Sequence, residues 1–319
     1  MTEKIKKLVE NSKSIAIFFH IGPDGDAVGS ALALKYGLEQ LGKEVTVFSQ
    51  DEIRRDFWFL EMGCIKNEIV SNKFDLGFVL DCSEIKRIGT MEAVFKNCKN
   101  IINIDHHLNN ENFTDYKIVD ENASSTCEIM FEFLKELNVS FTKQIKISLY
   151  TGLSTDSGCF MFNINKKLHL IANALVEGIE DEIEKINYML FREKSFNELK
   201  LTAEAINRLE SFFDDKFAFT ILTQRDLKKL DIPIDYTPNI IFLLSGLKNY
   251  DVICVACEES QGVFRVSFRS SKTDVCLLAR MFGGGGHKFA SGCKVYGNKN
   301  LVRKKILDKA EEYFNARNS

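Results

Sequence analysis

The feature that most limits the fold of this chain is a short apolar run that ends in three ionisable side chains. Residues 100–104 are brief and rich in isoleucine, which predicts a buried β-strand. Asp105, His106 and His107 follow directly. In an open parallel sheet, ligands bind beyond the carboxyl ends of the strands, so this position predicts a functional site. A structural or surface histidine pair is the alternative, and the rest of the chain decides between the two.

The same arrangement occurs near the amino terminus. Residues 14–19 predict a strand, and the loop after it contains His20, Asp24 and Asp26. Helical spacing of apolar residues then covers residues 27–41. A tight turn would account for the first carboxylate, but it requires neither the imidazole nor the second carboxylate. These three side chains are therefore candidate metal ligands.

Two further elements each deliver one carboxylate. Residues 74–80 predict a strand that ends at Asp81, and residues 141–153 predict a helix that ends near Asp156. The repetition favours a function over chance. Further apolar runs predict two more strands and two more helices, at residues 45–48 and 116–119, and at residues 83–97 and 124–137. Strands separated by helices predict an α/β fold with a mostly parallel sheet and helices on both faces.

The candidate ligands are two imidazoles and four carboxylates: His20, Asp24, Asp26, Asp81, His106 and Asp156. This set is too large for one ion and too rich in oxygen for a structural zinc. Mixed imidazole and carboxylate ligation suits Mn²⁺ best, with Mg²⁺ or Fe²⁺ as alternatives. Two such ions about 3.5–4 Å apart can activate a water molecule and stabilise the oxyanions of a phosphoryl displacement.

Composition and charge limit the class of protein. Hydrophobic content of 45% and charged content of 27% are ordinary for a soluble globular chain. Nine scattered cysteines, without an apolar signal core, predict reduced thiols and a cytoplasmic location without membrane association. Residues 216–319 contain 17 Lys and Arg against 10 Asp and Glu, whereas the rest of the chain is acidic. This asymmetry arises either by chance or because the first half binds cations and the second an anion.

The second half contains a candidate anion clamp. Four consecutive glycines at residues 283–286 precede His287 and a lysine, and their backbone N–H groups can converge on an anion. Arg265 and Arg269 lie four apart on a predicted strand, hence on one face, where arginine forks suit phosphate. A low-complexity flexible segment would explain the glycines alone, and exposure to solvent would explain either arginine alone. Together they favour a clamp.

The length of 319 residues predicts two domains. We expect a catalytic domain at residues 1–185 and a charged helical linker at residues 186–215. A smaller α/β domain with a mixed sheet is expected at residues 216–319. Its predicted elements are strands at residues 217–222, 252–257 and 263–268, and a helix near residues 274–282.

These motifs resemble those of the DHH phosphoesterases with a DHH-associated carboxyl-terminal domain. The first half carries the resemblance at His20-x-x-x-Asp24-x-Asp26, Asp81, Asp105-His106-His107 and Asp156. The second half carries it at residues 265–270 and 283–292, which supply the implied substrate-binding residues Arg265, Arg269, Ser270, Gly284, Gly285, Gly286 and His287.

The resemblance also implies a role for each residue of the first half. The two implied ligand sets are His20, Asp24 and Asp81 for one ion, and Asp26, Asp81, His106 and Asp156 for the other. Asp81 would bridge the ions. Asp105 would orient a histidine, and His107 would face the phosphate and assist the leaving oxygen.

The implied activity is hydrolysis of short RNA oligonucleotides to mononucleotides, together with dephosphorylation of pAp to AMP, in a cleft between two lobes. A phosphodiesterase for cyclic dinucleotides or their linear products is the alternative. A single-strand exonuclease is disfavoured because the chain is not basic and lacks room for an added nucleic-acid-binding fold. A non-catalytic nucleotide sensor would be expected to lack a ligand, and none is missing. The preferred substrate, the metal and a homodimer stay open.

Overall fold

The structure is a computed structural model that describes residues 3–60, 62–108, 110–162 and 164–318. It divides the chain into two units, Met1–Glu193 and Lys194–Ser319. Each unit is built around its own sheet of six strands in the described part of the chain. The predicted α/β fold class is thereby confirmed, whereas the predicted domain boundaries at residues 185 and 215 stay predictions.

The first unit carries a parallel sheet whose strand order is β3-β2-β1-β4-β5-β6. The strand order reverses between β1 and β4, which is the switch point where open α/β sheets bind ligands. Its described elements are α1 (Glu3–Asn11), β1 (Ser14–Phe19), α2 (Gly25–Gln40), β2 (Glu44–Phe48), β3 (Ile65–Lys66), β4 (Leu76–Leu80), α3 (Glu92–Phe95), β5 (Ile101–Asp105), β6 (Tyr116–Val119), α4 (Thr126–Glu136), α5 (Lys143–Asp156), α6 (Lys166–Val176) and α7 (Glu180–Asn187).

Both faces of this sheet are covered. On β1, Ile15 and Ile17 pack into a core shared with α2, α4 and α5, whereas Ala16 and Phe18 pack into a second core on the α3 side. Successive side chains of a strand point to opposite faces, so a strand buried on both faces is a continuous apolar run. The predicted helices on both faces are therefore present.

Two glycines let α2 and α5 approach closely. A Cβ atom on Gly29 would lie 2.3 Å from the Ser148 carbonyl oxygen, and one on Gly152 would lie 2.7 Å from Asp26 Oδ1. Larger residues would therefore force the helices apart. The close approach brings Asp156, at the end of α5, to the first turn of α2.

The second unit carries a mixed sheet, as predicted, in the order β11-β12-β10-β9-β8-β7. The β8–β9 pair is parallel and the other pairs are antiparallel. Its described elements are α8 (Phe196–Asn207), β7 (Glu210–Phe212), β8 (Phe217–Leu222), α9 (Gln224–Lys229), α10 (Pro238–Leu244), β9 (Val252–Ser260), β10 (Val263–Arg269), α11 (Val275–Arg280), β11 (Gly285–His287), β12 (Ala290–Tyr296) and α12 (Lys299–Asn318).

Three stretches differ from the sequence-based expectation. Residues 83–97 do not form one helix, because Gly89 adopts a φ of 60° within a 3₁₀ stretch at Ile85–Met91 and α3 begins only at Glu92. Residues 186–215 contain a π-helical turn at Tyr188–Arg192 and the strand β7 besides the helix α8. The glycine run is not wholly a loop, because Gly285 and Gly286 pair with β12. Within the described residues, the helices are too short or too polar to cross a bilayer.

Candidate functional site

Six ionisable side chains of the first unit meet at the switch point of the parallel sheet. The loops that follow β1, β4 and β5 run along the same edge of the sheet, and the start of α2 and the end of α5 lie beside them. The side chains that these elements bring together are His20, Asp24, Asp26, Asp81, His106 and Asp156.

The first group contains His20, Asp24 and Asp81, with ligand atoms within 4.8 Å of one another. His20 Nε2 lies 3.4 Å from Asp81 Oδ2 and 3.8 Å from Asp24 Oδ1. Asp24 caps α2, since its Oδ1 accepts hydrogen bonds from the backbone N–H groups of Asp26 and Ala27, each at 3.1 Å. The helix start therefore fixes the carboxylate that faces the imidazole.

The second group contains Asp26, His106 and Asp156. His106 Nε2 lies 3.2 Å from Asp156 Oδ2, 4.0 Å from Asp26 Oδ2 and 3.6 Å from Asp81 Oδ1. The other ring nitrogen, Nδ1, lies 3.3 Å from the Ala123 carbonyl oxygen. Asp81 thus presents one oxygen to each group, which is the position that a bridging ligand requires.

The amino terminus of α4 holds the buried carboxylates in place. The backbone N–H of Thr126 donates to Asp26 Oδ2 at 2.6 Å, and that of Cys127 donates to Asp26 Oδ1 at 2.8 Å. The Thr126 hydroxyl donates to Asp81 Oδ1 at 3.1 Å. A helix amino terminus favours negative charge, so these bonds stabilise two carboxylates where other carboxylates repel them.

The electrostatics of the cluster fit a pair of divalent cations. Burial, together with the charge of Asp81, raises the pKa of Asp26 to about 7. Burial and the other carboxylates raise the pKa of Asp156 well above its usual range. Burial alone would lower the pKa of His20, but Asp24 and Asp81 outweigh it and raise that pKa to about 10. Protons on these groups thus offset negative charge of the four carboxylates of the cluster. Two divalent cations would neutralise the full charge of the same four carboxylates.

Asp105, which directly precedes the two adjacent histidines in the sequence, lies beside the two ligand groups. Asp105 Oδ1 accepts hydrogen bonds from His107 Nδ1 at 2.7 Å and from the His106 backbone N–H at 2.9 Å. Burial would raise the pKa of Asp105, but the hydrogen bond from His107 outweighs it and lowers that pKa. The ionised carboxylate therefore fixes the orientation of the His107 ring.

In the second unit, the strand register places three cationic side chains and a histidine on one face of the sheet. Arg265 of β10 lies directly opposite Lys294 of β12. Arg269 of β10 lies opposite Ala290 of β12, and Ala290 lies opposite His287 of β11. Directly paired residues point to the same face. We call this set the cationic face: Arg265, Arg269, His287 and Lys294, with the small residues Ser267, Gly285, Ala290 and Gly292 between them.

The two arginines of this face differ in their contacts. Arg265 Nη2 donates to the Ile234 carbonyl oxygen at 2.7 Å and to the Thr237 hydroxyl at 2.8 Å. Arg269 donates to the Phe268 carbonyl oxygen, and no ion pair with an acidic side chain is found for it in the part of the chain that the structure describes. Burial lowers the pKa of Arg269. An incoming anion would relieve this cost of burying an uncompensated charge.

The remaining substrate-binding candidates surround the same face. Ser270 Oγ accepts hydrogen bonds from the backbone N–H groups of Lys272 and Thr273, so it stabilises the turn that leaves β10. A Cβ atom on Gly284 would lie 2.2 Å from the Gly292 carbonyl oxygen. The glycine at this position therefore permits close contact between backbone segments, and the substrate-binding role of the run stays a prediction.

Comparison with known families places both units. Residues 14–153 match the model described as DHH family, N-terminal domain, and residues 202–316 match the DHHA1 domain. The chain therefore carries a domain of each of these two families. Its first unit carries the DHH domain and its second unit the DHHA1 domain, which confirms the resemblance seen in the motifs.

Relatives of this DHH protein cover nearly its whole length. It is 27% identical over 305 residues to the bifunctional oligoribonuclease and PAP phosphatase NrnA of Mycoplasma genitalium, covering 94% of each chain. A crystal structure of an exopolyphosphatase-related protein from Bacteroides fragilis is 26% identical, covers 98% of this chain and 95% of its own, and gives a TM-score of 0.87. RecJ of Thermus thermophilus in complex with Mn²⁺ is 13% identical, with a TM-score of 0.52, and covers 98% of this chain and 54% of its own.

Sequence reasoning missed several residues of both DHH-family domains. Thr126 lies inside the helix predicted at residues 124–137, and only the structure shows that its backbone N–H and its hydroxyl bond to Asp26 and Asp81. Lys294 was missed because β12 was not predicted, and only the strand register places it beside Arg265. Asn103 looked like one polar residue in an apolar strand, and its partners lie in a neighbouring strand and its loop.

Proposed function

We propose that this protein is a metal-dependent phosphoesterase that hydrolyses short RNA oligonucleotides to mononucleotides and dephosphorylates pAp to AMP. The observation that carries the proposal is the pair of adjoining ligand groups with Asp81 between them. The similarity to the relative named NrnA, over nearly the full length of both chains, supports the substrate class. Hydrolysis of phosphoester bonds is also the activity that the DHH family indicates.

The proposed centre holds two divalent ions, with Mn²⁺ as the expected metal. The first group, His20, Asp24 and Asp81, would hold one ion, and Asp26, Asp81, His106 and Asp156 would hold the other. Imidazole nitrogen and carboxylate oxygen together suit Mn²⁺, Fe²⁺ and Mg²⁺ in different degrees. Bound ions would acidify a water molecule and neutralise charge on the phosphate.

The residues of the chain itself supply orientation and proton transfer. The hydrogen bond from Nδ1 to Asp105 fixes the His107 ring, so we assign His107 to contact the phosphate and assist the leaving oxygen. Asp105 acts through His107 and through the backbone of His106, and it is therefore a positioning residue. Thr126 and the start of α4 hold Asp26 and Asp81 against their mutual repulsion.

The cationic face is proposed to bind a phosphate or terminal nucleotide of the substrate. Arg269 is the best candidate for direct contact, because its described contacts include no acidic partner. His287 lies two strands away on the same ladder and would add a donor. Arginine matches phosphate with a planar pair of donors, so the face favours substrates that carry more than one phosphate.

One comparison of rates tests the proposal. Purified protein with Mn²⁺ is incubated with pAp, a dinucleotide, a 5-mer, a 24-mer and cyclic di-AMP. We expect hydrolysis of pAp, the dinucleotide and the 5-mer to be clearly faster than hydrolysis of the 24-mer and of cyclic di-AMP. Fastest hydrolysis of cyclic di-AMP would replace this proposal with the cyclic-dinucleotide alternative. No Mn²⁺-dependent hydrolysis of any substrate would contradict it outright. The cytoplasmic location and a homodimer stay predictions.

A further inference from the structure

The backbone of Asp81 is held in a conformation that few residues adopt. Its φ angle is 53°, in the left-handed region, and its side chain is buried directly after β4. Residues other than glycine are uncommon in this region, although aspartate is tolerated there better than most, and they persist where their surroundings enforce them. Something in the first unit must therefore hold this turn.

Asn103 contacts the turn on both sides of Asp81. Its side-chain amide donates to the Val79 carbonyl oxygen at 3.0 Å and to the Cys82 carbonyl oxygen at 3.1 Å. The backbone also contributes, since the Asp81 N–H donates to the Ile104 carbonyl oxygen at 3.0 Å. One planar amide group thus spans the turn, with its two hydrogens on the carbonyls that flank the strained residue.

The oxygen of the same amide is used as well. Asn103 Oδ1 accepts a hydrogen bond from Asn110 Nδ2 at 2.7 Å, and Asn110 Nδ2 also lies 2.6 Å from Asp105 Oδ2. Asp105 in turn accepts from His107 Nδ1. A chain of hydrogen bonds therefore connects the backbone turn at Asp81 to the histidine that faces the proposed phosphate.

An amide is an unexpected side chain at this position. Asn103 is fully buried in β5, between β4 and β6, where a parallel sheet ordinarily carries apolar residues. Burying an amide is unfavourable unless its donors and acceptor are paired. The pairing seen here is specific to the loops that carry Asp81 and Asp105, so packing alone does not explain the residue.

We propose that Asn103 is a positioning residue, which holds the left-handed turn at Asp81 so that one carboxylate oxygen faces each of the two ligand groups. The inference rests on the proposed metal centre. It assigns to Asn103 a role in metal binding without direct contact with the metal. Because Asp81 belongs to both groups, loss of the Asn103 amide should weaken both metal sites together.

The test is a titration of metal-free protein with Mn²⁺, in which EPR follows the unbound ion. Wild type is compared with Asn103→Leu, which keeps approximate size but removes the donors, and with Asn187→Leu. Asn187 is a matched control because its half-buried amide bonds to Tyr150 in the same unit, away from the ligand groups. We expect wild type to bind two ions and Asn103→Leu to bind both about 10- to 100-fold more weakly. Asn187→Leu should change the melting temperature alone.

Several results would overturn the inference. Wild-type Mn²⁺ affinities in Asn103→Leu would show that the amide does not position Asp81. Equal weakening in Asn103→Leu and Asn187→Leu would show general destabilisation. If Asn103→Leu does not fold, Asn103→Ser takes its place, since a hydroxyl is too short to reach both carbonyls. Wild type that binds no Mn²⁺ would overturn the proposed metal centre together with this inference, whereas the first two results leave the metal centre intact.

Discussion

The ligand groups of the first unit and the cationic face of the second are built on sheets in different ways. The ligands lie beyond the ends of parallel strands, where loops from separate strands converge and bury four of the six side chains. The cations of the second unit lie along the strands themselves, at alternate positions of an antiparallel ladder, and are half-buried or exposed. Strand ends thus concentrate charge at a point, whereas a strand face spreads it over an area.

The two constructions also differ in how firmly the side chains are held. Asp26 is bonded through both oxygens to backbone N–H groups, and Asp105 through both oxygens to three donors. On the cationic face, Lys294 pairs with Glu259 at 2.7 Å, and both of these groups are partly exposed. Metal ligation requires fixed geometry, and recognition of varied nucleotides does not. Substitutions in the two regions should therefore differ in what they change, metal content or substrate use.

The largest effect is expected at the residue that both ligand groups share. Asp81→Asn keeps the shape of the side chain, and asparagine tolerates the left-handed conformation, so only the charge is lost. Mn²⁺ affinity and the rate of hydrolysis of a dinucleotide should both fall by more than about 100-fold, since loss of an outer-shell partner alone costs 10- to 100-fold in affinity or activity. A Mn²⁺ titration and initial rates measure the two quantities.

The control for this change lies at the other end of the same strand. Asp75 precedes β4 and pairs with Lys99 at 3.0 Å, away from the ligand groups. Asp75→Asn should retain both ions and most of the activity. Two ions per chain in an active Asp81→Asn protein would refute the bridging role.

A smaller and divided effect is expected at the adjacent histidines. His106→Ala removes a ring nitrogen that faces Asp156 and Asp81, so Mn²⁺ content should fall. His107→Ala should retain both ions and lower kcat by about 100-fold or more, as expected for loss of a general acid. Metal analysis beside kcat separates the two variants. Equal loss of metal in both would show that their roles have been divided wrongly.

The next effect tests the second region by itself. Arg269→Ala should retain both ions and lower kcat/KM on a dinucleotide by about 100-fold, or about 2.7 kcal/mol, because misplacing a reacting group costs rate as well as binding. Hydrolysis of bis-p-nitrophenyl phosphate, which has no second nucleotide to bind, should change far less. Arg265→Ala should act more weakly, since one of its nitrogens already bonds within its own unit.

Arg225→Ala provides the control for charge alone, because Arg225 is exposed on α9 of the same unit. It should leave both substrates unaffected. Equal losses on the dinucleotide and on bis-p-nitrophenyl phosphate in Arg269→Ala would show that the cationic face is not a substrate clamp.

The positions where strands end could be predicted from the sequence, whereas the side chains that neighbouring strands place on a common face could not, and the reason is physical. A buried parallel strand is a continuous apolar run, so the abrupt appearance of Asp81 or Asp105 marks its end without knowledge of its neighbours. The cationic face depends on register across β10, β12 and β11, and no local pattern fixes that register. Lys294 could therefore be placed only by the structure.

The residues that orient the candidate ligands could not be predicted from the sequence either. Contacts of Asp26 with α4 join residues 100 positions apart, and Asn103 bonds to carbonyl oxygens more than 20 residues away. The periodicity of a chain reports on burial and not on which backbone groups meet. The six candidate ligands could be named from the sequence, whereas the groups that orient them could not.

The smallest predicted effect concerns an acid of the second unit that is already neutralised by a neighbour. Asp226 accepts two hydrogen bonds from Arg208, at 2.8 and 2.9 Å, and also accepts from Thr223. Burial would raise the pKa of Asp226, but Arg208 outweighs it and holds that pKa well below its usual range. The stabilisation by this pair is therefore complete above the unfolded-state pKa of about 3.9 and is lost as the pH falls further.

Asp226→Asn should accordingly lower the free energy of unfolding at pH 7 by about 1 kcal/mol, a modest amount because both partners are partly exposed. The difference from wild type should shrink as the pH falls below about 4, and denaturant titrations at several pH values measure it. Asp251→Asn, which removes a single 3.4 Å contact with Lys272, should have a smaller effect.

The effect of Mn²⁺ on stability distinguishes the two regions. The change in the free energy of unfolding caused by Asp226→Asn at pH 7 should be the same with and without the ion. The Asp81→Asn difference should grow with Mn²⁺, because only wild type gains stability from binding it. If the effect of Asp226→Asn on the free energy of unfolding depended on Mn²⁺, the proposed distinction between carboxylates that bind a metal ion and carboxylates that pair with arginine would be wrong.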